Sequence, residues 1–81
     1  MRIVYGERLL DSLEDSPPAV RKAFFKQLRF LADDLRYPSL QAKKYDESGD
    51  IWQARVNRDW RFYFKIEEDA YRILKVMPHP K

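Results

Sequence analysis

Two arginines, Arg55 and Arg61, occupy positions in the sequence that suit the binding of an anion. They lie in two segments of alternating apolar and polar residues, separated by the polar turn 57–59, and this is the pattern of a β-hairpin. If Val56 pairs with Trp60 across the turn, Arg55 lies directly opposite Arg61 on one face of the hairpin. Like charges at that spacing destabilise a sheet. The pair therefore predicts a surface that receives a negatively charged ligand.

Basic and aromatic side chains accompany the arginine pair. Arginine binds phosphate through two parallel hydrogen bonds and stays protonated, tyrosine can stack on a base, and a histidine transfers protons near neutral pH. A metal-independent ribonuclease needs such groups to hold the scissile phosphate, to stabilise charge in the transition state and to move protons. The candidate set is Lys43, Lys44, Arg55, Arg58, Arg61, Tyr63 and, if the last strand pairs with the central one, His79.

Structural interpretations of the same residues stay open. Lys43 and Lys44 are equally well explained as a solvated pair. Arg55 could instead form an ion pair with Asp50 or Asp59. Plain solvent exposure would account for the other basic side chains.

Other kinds of site are not indicated. One histidine and no cysteine cannot form a His/Cys metal cluster. No serine or cysteine has an evident histidine partner, and there is no glycine-rich phosphate loop. The sequence therefore predicts neither a metal nor a cofactor.

Composition indicates one small domain, residues 1–81, with a net charge of +3 and a pI of about 9.3. This positive net charge is compatible with a polyanionic partner. The absence of cysteine is typical of a reducing compartment, so a cytoplasmic location is expected. No apolar run is long enough for a membrane span, and no signal peptide is recognisable.

The pattern along the chain predicts the elements that position these residues. Two helices are expected, Glu7 to Glu14 and Pro17 to about Leu35, with Ser16 as the cap of the second. Strands are expected at Arg2–Tyr5, in the hairpin and at Tyr71–Met77, with a brief strand at residues 43–45. The predicted fold class is α+β: two N-terminal helices packed on one face of a mainly antiparallel, twisted, four-stranded sheet. Trp60, Phe62 and Phe64 should pack under the long helix, leaving the arginines on the opposite, concave face.

These motifs resemble the RelE/ParE superfamily of bacterial toxins. The resemblance rests on the lysine-rich segment 43–45, the strand 51–56, the aromatic–arginine segment 60–64 and a last hydrophobic strand that ends near His79. The preceding order of strand, helix and helix is also similar, as is the overall length. The resemblance thus covers nearly the whole chain.

The resemblance implies a RelE-like fold and a toxin of a type II toxin–antitoxin system, bound by a cognate antitoxin in a hetero-oligomer. RelE-type members cleave mRNA on the ribosome with basic residues at matching places. This implies an endoribonuclease, with Arg55 and Arg61 as phosphate-binding or transition-state residues and His79 as an acid or base. The implied RNA-binding residues are Lys43, Lys44, Arg58, Tyr63 and Lys81.

Two alternatives to ribonuclease activity stay open. ParE-type members share the fold but inhibit DNA gyrase without catalysis. A third interpretation is a toxin-fold module that binds nucleic acid or a protein and does not cut.

Overall fold

The computed structural model describes residues 1–79 and contains two helices on one side of a five-stranded sheet. In chain order the elements are β1 (Arg2–Tyr5), α1 (Leu9–Glu14), α2 (Pro18–Asp33), a 3₁₀ turn (Pro38–Leu40), β2 (Lys43–Asp46), β3 (Ile51–Arg55), β4 (Trp60–Glu67) and β5 (Ala70–Pro78). Both predicted helices form, each within a few residues of its expected ends. Neither helix of the described range is long and apolar enough to span a membrane.

The sheet has the strand order β1-β5-β4-β3-β2. All neighbours are antiparallel except β1 and β5, which run parallel with Arg2 paired to Ala70 and Tyr5 to Ile73. The prediction of four strands was wrong, because both short candidate strands, β1 and β2, join the sheet. The α+β class and the mainly antiparallel pairing are confirmed.

The core lies between α2 and the apolar face of β3, β4 and β5. Phe24 of α2 meets Phe62 of β4 edge to face, with ring centroids 5.4 Å apart, and neither side chain is exposed. Phe64 is also fully buried, and Trp60 packs against the same cluster while half-buried. The prediction that Trp60, Phe62 and Phe64 pack under the long helix is therefore confirmed.

A bulge in β5 decides which side chains of the last strand face the core. Tyr63 pairs with Lys75, but the next residue, Phe64, pairs with Ile73, so Leu74 is the extra residue. A bulge shifts the alternation of a strand by one position. As a result Ile73 and Val76 are both buried in the core, although three positions separate them.

Two polar side chains have roles that the sequence did not indicate. Ser16 does not cap α2, whose cap position is Pro17; its hydroxyl donates instead to the Ser12 carbonyl at 2.7 Å. The buried Gln27 of α2 donates to the backbone carbonyls of Ser39, at 3.0 Å, and Arg55, at 2.8 Å. The side-chain amide of Gln27 therefore connects α2 to Arg55, the last residue of β3 and one member of the arginine pair.

Candidate nucleic-acid interface

The polar face of the sheet, defined as the face opposite α2, carries the arginine pair. β3 and β4 pair so that Arg55 lies opposite Arg61, as the hairpin pattern predicts. Both side chains are half-buried. Within residues 1–79 neither arginine forms an ion pair, and Asp50 pairs with Lys44 instead. The alternative of an Arg55–Asp50 or Arg55–Asp59 pair is thus not adopted.

Arg61 also holds the turn of its own hairpin. Its Nη1 atom donates to the carbonyl oxygens of Asn57 at 2.7 Å and Trp60 at 2.9 Å, with a longer contact to Arg58 at 3.4 Å. The guanidinium is the donor found for the Asn57 and Arg58 carbonyls, whereas the Trp60 carbonyl also accepts from the Val56 and Asn57 amides. Arg55 has no such side-chain hydrogen bond within the described range. The two arginines are consequently not equivalent.

His79 lies at the same end of the sheet as the arginine pair. Arg61 pairs with Met77 and Trp60 with Pro78, and the His79 amide then donates to the Asp59 carbonyl at 2.7 Å. The last strand thus pairs with the central strand, which is the condition on which the placement of His79 depended. The His79 side chain is exposed.

The two lysines of β2 lie on opposite faces. Lys43 pairs with Gln53 and is exposed at the polar face. Lys44 lies on the helix side, with its Nζ atom 5.3 Å from the centre of the Trp52 ring and an ion pair to Asp50. The hydrogen bond with Asp50 raises the pKa of Lys44 above its ordinary value. Lys44 is therefore not brought together with the arginines.

Two further predicted RNA-binding residues are Arg58 and Lys81. Arg58 is exposed in the β3–β4 turn. Lys81 lies outside the described residues. Their roles stay predictions.

Tyr63 is buried and its ring is covered on the polar face. It is only 5% exposed, its hydroxyl accepts a hydrogen bond from Gln53 at 3.1 Å, and the Lys75 ammonium lies 5.4 Å from its ring centre. The ring of Tyr45 meets it at 4.9 Å and 68°. Tyr45 itself is 60% exposed. The accessible aromatic side chain of this face is therefore Tyr45, which the sequence interpretation missed although Tyr45 is two residues from Lys43.

A cavity of about 510 Å³ opens beside these two tyrosines. Its walls combine aliphatic, aromatic and charged side chains. The lining residues are Gly6, Glu7, Arg8, Tyr45, Ile51, Tyr63, Arg72, Leu74 and Lys75. Among residues 1–79, no cluster of three or more His, Asp or Glu side chains has the arrangement of a metal site.

Solved structures with a closely similar fold are toxins and toxin–antitoxin complexes. A chain of the archaeal RelE–RelB complex from Pyrococcus horikoshii is 21% identical over 95% of this chain and 92% of that chain, with a TM-score of 0.76. The YoeB/ParE toxin from Agrobacterium tumefaciens is 12% identical over 99% and 100%, with a TM-score of 0.80. A YoeB–YefM toxin–antitoxin complex from Staphylococcus aureus gives 10% identity over 99% and 98%, with a TM-score of 0.75.

No protein-family model matches the chain, and no curated protein matches it in sequence. The similarity to these solved structures therefore lies in the arrangement of helices and strands. The protein has the fold of the RelE/ParE superfamily, and the fold that the sequence resemblance implied is confirmed.

Proposed function

We propose that this protein is the toxin of a type II toxin–antitoxin system and that the polar face of its sheet cleaves mRNA on the ribosome. The observation that carries this proposal is the Arg55–Arg61 pair, two guanidinium groups on adjacent strands with no carboxylate partner among residues 1–79. Such a pair suits a phosphate whose charge increases in the transition state. The toxin–antitoxin complexes among the structural neighbours support the same class of protein.

Each residue of the proposed site has a distinct task. Arg55, whose guanidinium makes no hydrogen bond within the described range, binds the scissile phosphate. Arg61 contributes its Nη2 and Nε donors while Nη1 stays on the turn. His79, at the same end of the sheet, exchanges the proton that the attacking 2′-hydroxyl loses or that the departing 5′-oxygen gains. Lys43 adds positive charge to the path of the RNA.

The test is to induce the protein alone in bacteria and to map mRNA ends on ribosomes together with DNA breaks linked to gyrase. Ribosome-dependent mRNA cleavage that disappears in Arg55→Ala is the expected result. Growth arrest with gyrase-linked breaks and intact mRNA would overturn the ribonuclease proposal.

A second candidate function is binding without cleavage, either to DNA gyrase or as a module that binds nucleic acid or a protein. One observation favours it: Arg61 already donates to turn carbonyls, so part of its guanidinium serves the scaffold. Under this candidate Arg61→Ala lowers stability and activity in parallel, whereas Arg55→Ala changes little.

We further propose that an antitoxin protein covers the polar face with an acidic or amphipathic segment. Lys43, Arg55 and Arg61 supply positive charge there without carboxylate partners among residues 1–79. Opposite charges accelerate association, and added salt screens this effect. Co-purification with the partner encoded beside the gene, at an association rate that falls with salt, is expected. An association rate that does not change with salt would contradict an electrostatic contact.

A further inference from the structure

We infer that Tyr45 is a stacking platform for one base of a single-stranded RNA, in a subsite beside the Arg55–Arg61 pair. This inference rests on the proposed function and adds a residue and a ligand group to it. Tyr45 is 60% exposed on the polar face, and it is the bulged residue of β2, since Lys44 pairs with Trp52 and Asp46 with Ile51. Bulges re-aim side chains and often lie next to functional sites.

The Tyr45 ring is held by a series of contacts with the neighbouring strands. Its ring meets Tyr63 at 4.9 Å, the Tyr63 hydroxyl accepts from Gln53 at 3.1 Å, and Lys75 lies over the Tyr63 ring at 5.4 Å. Tyr63 is buried, so it serves as the fixed support and Tyr45 as the accessible ring. A ring that is already positioned loses little side-chain freedom when a base stacks on it.

The cavity beside Tyr45 offers contacts for a base and for the phosphate that flanks it. Ile51 and Leu74 contribute apolar surface, and Glu7 contributes a carboxylate that can accept hydrogen bonds. The flat face of a base can pack on Ile51 and Leu74, and its ring or amino N–H groups can donate hydrogen bonds to the Glu7 carboxylate. The basic side chains Arg8 and Lys75 at the same cavity suit the flanking backbone.

The distance along the strands links this subsite to the arginine pair. Tyr45 is the bulged residue next to the Asp46–Ile51 pair, and Ile51 lies four residues from Arg55 on β3, which is about 13 Å at the rise of a β-strand. A base on Tyr45 and a phosphate on Arg55 would therefore belong to one RNA strand, at nucleotides a few positions apart. Tyr45 thus becomes a determinant of where the RNA is positioned.

The test measures the affinity of the purified protein for short single-stranded RNAs with 2′-O-methyl groups, which cannot supply the attacking hydroxyl. Stacking on one ring corresponds to a loss of about 5- to 150-fold in affinity for Tyr45→Ala, with most of the affinity kept in Tyr45→Phe. Tyr5→Ala is the matched control, since Tyr5 is 55% exposed on β1 and does not line this cavity. We expect its affinity to equal that of the unchanged protein.

A scan of abasic nucleotides identifies the stacked base. One abasic position should weaken binding to the unchanged protein and have no effect on Tyr45→Ala, because both changes remove the same contact. If Arg55→Ala weakens binding but Tyr45→Ala does not, the stacking subsite is overturned while RNA binding by this face survives. If the unchanged protein binds no RNA, and Tyr45→Ala lowers only the affinity for a protein partner, both the stacking subsite and the ribonuclease proposal fail.

Discussion

At the scale of single residues, Arg55 and Arg61 differ more than their symmetric positions suggest. Like-charge repulsion alone would let Arg61→Ala keep or raise stability. The Nη1 contact of Arg61 to the Asn57 carbonyl reverses this expectation, because no other donor within residues 1–79 reaches that oxygen. Arg55 has no comparable contact in residues 1–79. Substitution of Arg55 is therefore the better test of anion binding, because it should leave stability unchanged.

The first prediction compares these two residues. Arg61→Ala should lower the free energy of unfolding by about 1 to 3 kcal/mol, whereas Arg55→Ala should change it by less than about 0.5 kcal/mol. Urea unfolding of both variants, with ribosomal mRNA cleavage as the second readout, separates stability from activity. An Arg55→Ala variant that is fully stable and still arrests growth would remove the main support for the ribonuclease proposal.

At the scale of elements, β1 is attached to the sheet by close backbone contacts with β5. The Gly6 amide donates to the Ile73 carbonyl at 2.8 Å. A Cβ at Gly6 would lie 2.6 Å from the same oxygen, so a side chain cannot be accepted without moving β1. The glycine is required here for close approach of two strands.

The second prediction follows from this contact. Gly6→Ala should destabilise the protein by about 1 to 3 kcal/mol through overpacking against the β5 backbone. Gly49→Ala is the control, since its Cβ would meet side chains and no backbone: Asp46 at 3.1 Å and Ile51 at 3.4 Å. Thermal unfolding of both variants gives the comparison. Equal melting temperatures for the two would contradict the close-approach argument.

The third prediction concerns the ion pair between Arg2 of β1 and Asp69 of the β4–β5 turn, 3.2 Å apart. The hydrogen bond from Arg2 lowers the pKa of Asp69 below its ordinary 3.8. Because the folded pKa is depressed, the contribution to stability is present above the unfolded value and lost as pH falls through the folded pKa, below about 4. In NMR titration, Arg2→Gln should raise the pKa of Asp69, and an unchanged pKa would contradict the assignment.

At the scale of the whole molecule, stability depends on a small aromatic core between α2 and the sheet. The core is built around Phe24, Phe62 and Phe64, none of which is exposed. Phe24 and Phe62 come from different elements and meet edge to face. In so small a chain, one such contact is a large share of the net stability.

The fourth prediction tests this core. Phe62→Ala should lower the free energy of unfolding by about 3 to 5 kcal/mol. This is a large share of the net stability of a small domain. Phe25→Ala, with a side chain 44% exposed on α2, is the control and should cost much less. Denaturant unfolding gives both values. A Phe62→Ala variant that keeps its stability but loses RNA binding would mean that Phe62 serves the ligand and not the core.

The amino-acid sequence by itself determined the features that depend on local pattern. Alternation assigned Phe62 and Phe64 to one face and Arg61 to the other, and the short turn 57–59 set the register that opposes Arg55 and Arg61. Helical periodicity likewise predicted α2. These features involve residues close in the chain, so periodicity and turn length suffice to specify them.

Only the tertiary structure decided the features that depend on distant segments. The parallel pairing of Arg2 with Ala70 and the cover that Tyr45 provides for Tyr63 require strands that do not follow one another in the chain. The bulge at Leu74 lies within the β4–β5 hairpin, but the alternating pattern of the sequence does not show it. A bulge reverses the facing of every later residue, and burial of a ring depends on which strand lies beside it. For this reason Tyr45, and not Tyr63, is the accessible aromatic residue of the site.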